Sequence, residues 1–147
     1  LRGTPEWQKI DADLRPQIEM GLDKFTAADY ARAIDMCHLL NLELEVAFES
    51  APLIITPATR GHAPKIEGDG FVDGQETADW VAFTMGINMT RNPAGIVPIA
   101  LTDDGMPLGM QVIGRQRQDL TVLRAMTGLE DLLGFEARAD VAMLASS

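Results

Sequence analysis

The sequence predicts an α/β fold. Three features carry it: a helical apolar repeat over residues 30–47, a short apolar run Leu53-Ile54-Ile55-Thr56 held between prolines, and two strand-length runs joined by a turn-rich connection ahead of a last helix. The order helix, strand, helix, strand, strand, helix belongs to α/β or α+β architectures.

The elements follow in chain order. Leu14, Ile18 and Leu22 indicate a short helix with Pro16 in its first turn, ending around Gly21. Thr26 then stands as an N-cap with Asp29 three residues on, a short-armed capping box. Behind it Tyr30, Ala33, Ile34, Cys37, Leu40, Leu44 and Ala47 recur at steps of three and four, lining one face of a long helix that ends near Glu49. The run Leu53-Ile54-Ile55-Thr56, apolar at nearly every position, reads as a strand inside a sheet and covered on both faces. Residues 58–75 carry Gly61, Pro64, Gly68, Gly70 and Gly74 with few apolar side chains and read as one long loop, a length that compact domains reserve mostly for function.

Thr77 caps an expected helix carrying Trp80, Val81, Phe83 and Thr84, closed by Gly86. Residues 96–101 and 108–113 form an expected β-hairpin across a connection containing Asp103, Asp104, Gly105 and Pro107. Asp119 is the expected cap of a final helix whose inner face is Leu120, Leu123, Met126, Thr127, Glu130 and Leu133, with Gly134 as C-cap. Residues 137–147 read as a tail, and residues 1–13 as an N-terminal extension of the block 14–136.

Composition narrows the function. Apolar residues make up 46% and charged residues 23%, ordinary values for a globular chain of 147 residues. No apolar run approaches the ~18 residues of a spanning helix, so no membrane partner is expected. With 12 Lys plus Arg against 22 Asp plus Glu, the net charge of −10 repels a phosphate backbone, and nucleic acid is not expected as a direct partner. The single cysteine, Cys37, cannot form an intrachain disulfide, reads as a buried thiol and suits a reducing, cytoplasmic setting. The start at Leu1, without Met, fits a cut or cloned piece.

Hydrolytic chemistry requires a nucleophile beside a base, or a metal that makes hydroxide. His38 and His62 are not in an H-E-x-x-H or H-x-x-H spacing, and one cysteine makes no thiolate cluster, so no metal site is expected. His38 reads as a helix-surface residue and His62 as a solvated loop residue. The three serines, Ser50, Ser146 and Ser147, sit on no G-x-S-x-G elbow, and Lys24 and Lys65 stand in no S-x-x-K spacing. Asp103 with Asp104, and Asp69 with Asp73, read as solvated turn formers. Nothing resembles a phosphate loop, and no cofactor is expected. The local chemistry alone describes an α/β domain of unassigned purpose.

A longer pattern says more. Trp80-x-x-Phe83-Thr84, then Asn88-Met89-Thr90-Arg91-Asn92-Pro93-Ala94, then Val97-Pro98, then Asp104-Gly105-Met106-Pro107-Leu108-Gly109-Met110-Gln111-Val112-Ile113-Gly114-Arg115, and a helix with Leu123 and Glu130 are similar to the C-terminal segment of the amidase-signature family. Leu14-Arg15-Pro16 with Ile18, Glu19 and Gly21, then Ala28-Asp29-Tyr30 and Ile54-Ile55-Thr56-Pro57, look like the family's preceding helices and strand. The blocks also have physical readings: Asn92-Pro93-Ala94 is a tight entry into a strand, and Gly109 permits close backbone approach where the second hairpin strand begins.

The resemblance implies a serine hydrolase of amide bonds with a Ser, cis-Ser, Lys triad and a Gly/Ser-rich signature, all in the family's N-terminal and central parts. No position here matches those elements, so no catalytic residue carries over, and helices on a small mixed sheet would be completed by the missing N-terminal part. The partners implied are a small-molecule amide and that N-terminal part. Trp80, Arg91 and Gln118 are the candidate substrate-pocket residues. Arg91 stands where the family usually has glycine. Gln118 stands where the glutamine-using amidotransferase subunits have an Asp that holds the substrate ammonium, which favours a plain amidase over a tRNA-dependent role, since a neutral amide holds a cation less strongly than a carboxylate. The competing reading is a stand-alone, non-catalytic binding domain of the same architecture. Uncovered sheet edges and helix faces lead to an expectation of self-association as a homodimer.

Overall fold

The computed structural model describes residues 2–12, 14–61, 64, 68 and 70–135. His62, Lys65, Asp69, Ser146 and Ser147 and the tail 137–147 lie outside the described residues. The chain divides into two compact units, Leu1–Leu39 and Leu40–Ser147.

In the first unit a 3-10 turn at Pro5–Lys9 buries Trp7, and helix α1 (Leu14–Lys24) follows. The helix passes through Gly21 rather than ending there, because a glycine inside a helix costs only about 1 kcal/mol and does not by itself terminate it. Arg2 reaches Asp23, with its two guanidinium nitrogens 3.1 and 3.2 Å from the carboxylate oxygens, and this pair holds the Asp23 carboxyl below the usual range. Helix α2 (Ala27–Ser50) begins at the predicted capping box. The Asp29 amide donates to the Thr26 hydroxyl at 3.2 Å, and the Thr26 amide donates back to the Asp29 carboxylate at 2.7 Å. The Thr26 hydroxyl and amide, with Arg32, hold the Asp29 carboxyl below its ordinary value. A carboxylate whose pKa is lowered on folding stabilises above its unfolded pKa, and that contribution is lost as the pH falls through the folded value, so this cap weakens in acid. Tyr30, expected on the inner face of α2, is exposed, and Cys37 is half-buried.

The second unit is built on a three-stranded antiparallel sheet in the order β1 (Leu53–Pro57), β5 (Pro107–Gly114), β4 (Ala94–Leu101). Register pairs Ile54 with Ile113, and Gln111 with both Thr56 and Ile96. The predicted hairpin is present, closed by Gly105 at φ 83 and by a 2.8 Å bond from the Thr102 amide to the Met106 carbonyl. The Asp104 carboxylate accepts from the Thr102 hydroxyl within this turn. Pro98, which has no N–H to give to the ladder, sits beside a register shift between Pro98 and Ala100.

The predicted place of β1 inside the sheet is corrected: β1 is an edge among the described strands, and Ile55 is 54% exposed. Helix α4 (Asp119–Leu133) packs on β4 and β5 and leaves that part of β1 uncovered. The inner face of α4 matches the predicted one at Met126 and departs from it elsewhere. Val122 is buried and Met126 approaches the sheet, while Leu120, Leu123 and Leu133 are exposed. The cause lies in two glycines of the sheet. A side chain at Gly95 would meet the Met126 sulfur at 2.1 Å, and one at Gly114 would meet a Val122 methyl at 2.6 Å, so those hollows select the Val122/Met126 pair. Nor does Asp119 cap the helix: Gln118 is the N-cap, without a side-chain bond, and Asp119 lies in the first turn, where a carboxylate favours the helix dipole. Gly134 closes α4 at φ 57, as predicted.

The long loop 58–75 is not all loop. Strands β2 (Phe71–Val72) and β3 (Gln75–Glu76) form a small hairpin on Asp73 and Gly74, both at positive φ. An Asp-Gly pair is the usual occupant of such a turn. Thr77 then accepts from the Asp79 amide at 3.2 Å and opens a 3-10 turn, Ala78–Val81, that leads into α3 (Ala82–Thr90). Helix α3 runs through Gly86 and closes at Arg91 instead.

Candidate functional site

At one end of the sheet the chain leaving β1, the turn that carries Trp80, and the β4–β5 hairpin border an open cavity of about 840 Å³. Its wall is apolar and is formed largely by Pro57, Trp80, Ile96, Pro98 and Leu108, with Arg60 beside them. The positions of these side chains follow from backbone constraints. The Ala58 amide donates to the Gly109 carbonyl at 2.9 Å, which turns the chain off β1 along β5. Gly109 has no room for more, since a side chain there would meet Ile96 at 2.8 Å and Ala58 at 2.9 Å. The Arg60 amide donates to the Trp80 carbonyl at 2.8 Å, and the Thr77 amide to the Gly70 carbonyl at 2.8 Å. Gly70 lies flat against the indole, where an added Cβ would be 2.2 Å from the ring. Trp80 is therefore braced from two sides.

Among the described residues that line the cavity there is no Ser, Cys, His, Lys, Asp or Glu. Arg60 is the charged residue of the lining, and its Nη1 lies 4.0 Å from Asp79 Oδ2. Such a wall can bind and orient an uncharged group, and it holds no nucleophile or base of the kind amide hydrolysis needs. Among the described residues no group of three His, Cys, Asp or Glu is placed to hold a metal ion. No described helix is long and apolar enough to cross a membrane.

Gln118 lies elsewhere. With Phe48, Ser50, Pro52 and Arg115 it borders a shallower hollow of about 360 Å³. There the Arg115 guanidinium stands 5.8 Å over the Phe48 ring, with its Nε 3.6 Å from the Glu45 carboxylate. Arg91 borders neither hollow. It is exposed at φ 59 and ψ 20, in the left-handed region where glycine is the least strained residue. Replacing Arg91 with Gly is expected to raise the unfolding free energy by about 1 kcal/mol, with Asn giving a smaller gain. Paired urea titrations check it, and an unchanged or lowered midpoint would show that the arginine side chain compensates for its backbone.

The segment after Arg91 is scaffold. Asn92 Nδ2 donates to the Gly114 carbonyl at 2.8 Å, the Gly114 amide to the Pro93 carbonyl at 2.9 Å, and Gln116 Nε2 to the Thr90 carbonyl at 2.7 Å. These bonds tie the entry of β4 to the exit of β5, in keeping with the tight strand entry read from Asn92-Pro93-Ala94. Gln111, almost fully buried, donates from Nε2 to Thr56 Oγ1 at 3.0 Å and to the Phe83 carbonyl at 3.1 Å, linking both neighbouring elements to the central strand. The sequence did not single out Arg60, Ile96 or Leu108 as site residues. The signal available was apolar side chains on hairpin strands beside a Gly-rich loop.

The mixed helix-and-sheet unit carries an apolar hollow in which Arg60 is the charged side chain among the described lining residues, and comparison with known proteins identifies its family. The sequence model of the Amidase family matches residues 8–123, and the chain belongs to that family. A fatty acid amide hydrolase from Medicago truncatula is 31% identical over 140 residues, covering 90% of this chain and 22% of that protein. A glutamyl-tRNA(Gln) amidotransferase subunit from Zymomonas mobilis is 32% identical over 120 residues, covering 78% and 23%. A crystal structure of an amidase superposes with a TM-score of 0.74 at 25% identity over 86% of this chain and 30% of its own. The chain thus spans less than a third of each of these proteins.

Proposed function

We propose that this chain forms the C-terminal, pocket-building part of an amidase that hydrolyses carbon–nitrogen amide bonds, with a Ser, cis-Ser, Lys triad supplied from outside it. One observation carries the reading: a cavity in an amidase-family segment has, among the described residues of its wall, no nucleophile or base. In the assembled enzyme a small-molecule amide is the substrate and the N-terminal part of the same fold is the partner. Trp80 is the segment's main contribution to the pocket wall, while Gln118 borders the separate hollow beside Phe48 and Arg115, and Arg91 borders neither. A neutral residue at Gln118 suits release of ammonia better than capture of a substrate ammonium.

The stand-alone binding domain is disfavoured by the surface. Leu42 and Val46 on α2, Ile55 on β1 and Leu132 on α4 are all more than half exposed, and apolar surface spread over several elements calls for a covering partner. A homodimer would cover some of it, and the rest of an amidase fold would cover more.

The 147-residue chain incubated with acetamide, hexanamide and benzamide is expected to release no ammonia above buffer, a deficit of at least about 10⁴-fold against a triad-bearing enzyme. Joined to the N-terminal part of a related amidase, it is expected to give turnover. Turnover by the chain alone that vanished with Ser50→Ala would overturn the reading.

A further inference from the structure

We propose that Arg60 is an anion-recognition residue at the cavity beside Trp80, and that it selects amides carrying a carboxylate at the end remote from the amide. The proposal rests on the amidase reading and names a substrate class within it, the monoamides of dicarboxylic acids.

The backbone at Arg60 is fixed. Its amide donates to the Trp80 carbonyl at 2.8 Å. The Thr59 hydroxyl donates to the Gly61 carbonyl at 3.0 Å. Gly61 has no space beside it, since an added Cβ would lie 1.9 Å from the Phe71 carbonyl oxygen. The guanidinium is held by much less. Among the described residues its ionic partner is Asp79, with Nη1 4.0 Å from Oδ2, at the outer limit of an ion pair and beyond hydrogen-bond length. The two side chains are 48% and 72% exposed, so the pair adds little to stability and yields readily to another partner. A guanidinium presents five N–H donors in a planar fork that matches the two oxygens of a carboxylate.

The other polar groups of the wall are taken. The Thr56 hydroxyl donates to the Pro57 carbonyl at 3.0 Å and accepts from Gln111. Thr102 is bonded to Asp104 and to the Met106 amide. Among the described lining side chains this leaves the Arg60 guanidinium and the Trp80 indole N–H as donors, and of the two only the guanidinium is charged. These facts separate the occupants. An ammonium would be repelled by Arg60, and among the described lining residues no carboxylate would answer it. A phosphate dianion would find one cation for its two charges, with Asp79 adding repulsion. A carboxylate matches Arg60 in both charge and fork geometry. Because the guanidinium is half in solvent, its guest keeps part of its hydration, and the desolvation that makes buried ion pairs costly is largely avoided.

The experiment uses the 147-residue chain labelled at the indole nitrogens of Trp7 and Trp80, because Trp80 lines the cavity with Arg60 and Trp7 does not. The probes are adipamate, hexanamide and δ-aminovaleramide, which share one chain length and end in a carboxylate, a methyl group and an ammonium. Adipamate is expected to shift the Trp80 signal saturably, with Trp7 unmoved, and to bind at least about fivefold more tightly than δ-aminovaleramide. Salt at about 1 M is expected to remove most of that advantage and leave hexanamide as it was. Arg60→Gln is expected to weaken adipamate about fivefold without changing hexanamide. Asp79→Asn, which removes the competing carboxylate, is expected to tighten adipamate about twofold. Both side chains stand largely in solvent, so the variants keep the fold, and far-ultraviolet circular dichroism verifies it. No saturable Trp80 shift with adipamate, adipamate no tighter than δ-aminovaleramide, or an Arg60→Gln variant that binds adipamate as the parent does would each overturn the proposal. Weaker adipamate binding by Asp79→Asn would overturn it as well, by showing that Arg60 and Asp79 act only as a structural pair. Those results would leave the amidase reading standing, which falls only if the joined enzyme turns over no amide.

Discussion

Ile113→Ala is expected to lower the unfolding free energy by about 3 kcal/mol, a large share of the roughly 5–15 kcal/mol by which small domains are stable. Ile113 is fully buried on the central strand, opposite Ile54 on one side and Ala94 on the other. Truncation removes three carbons from a site whose neighbours are pinned by two hydrogen-bond ladders, so the sheet cannot collapse into the space left behind. Urea unfolding followed by far-ultraviolet circular dichroism measures the change, with the slope against denaturant unaltered. Ile55→Ala serves as the internal comparison. It sits on the edge strand and is 54% exposed, so its loss is expected to be under about 1 kcal/mol in this chain. Equal losses at the two positions would mean that Ile55 is covered in solution by another copy or by an element that closes over β1.

Gln111→Leu is expected to cost about 2 kcal/mol although it adds apolar character to a core position. Gln111 is 3% exposed, and its amide serves two partners, Thr56 on β1 and the Phe83 carbonyl at the start of α3. Leucine fills similar space and donates to neither, which removes a hydrogen bond from the part-buried Thr56 hydroxyl and another from the Phe83 carbonyl. Because the Phe83 carbonyl lies just beyond the turn that carries Trp80, the loss should also reach the cavity. Amide exchange over α3 is expected to quicken more than over α4. A stability equal to or above the parent would show that water or a neighbouring donor takes over both bonds.

Much of the architecture was legible because the relevant chemistry is local. The start of α2 follows from Thr26 and Asp29, three residues apart, whose side chains and amides answer each other directly. The β4–β5 hairpin follows from two apolar runs around Gly105, and the end of α4 from Gly134. The β2–β3 hairpin was equally legible in Asp73-Gly74, and the glycine content around it concealed the signal. Of the candidate site residues, the sequence pattern pointed to Trp80, which lines the main cavity, and to Gln118 and Arg91, which do not.

What the sequence determined by itself is the order and kind of its elements and its kinship to the amidases, since capping, turn chemistry and long spaced motifs act within reach of the chain. The tertiary structure decided which apolar face each element buries. Val122 and Met126, four residues apart, are as regular in helical spacing as Leu120 and Leu123, and they face the sheet because Gly95 and Gly114, distant in sequence, leave hollows opposite them. It also decided that Ile96 and Leu108 line a cavity with Trp80. An apolar side chain gives the same sequence signal whether it meets a helix, a substrate or a missing partner, because burial depends on what stands opposite.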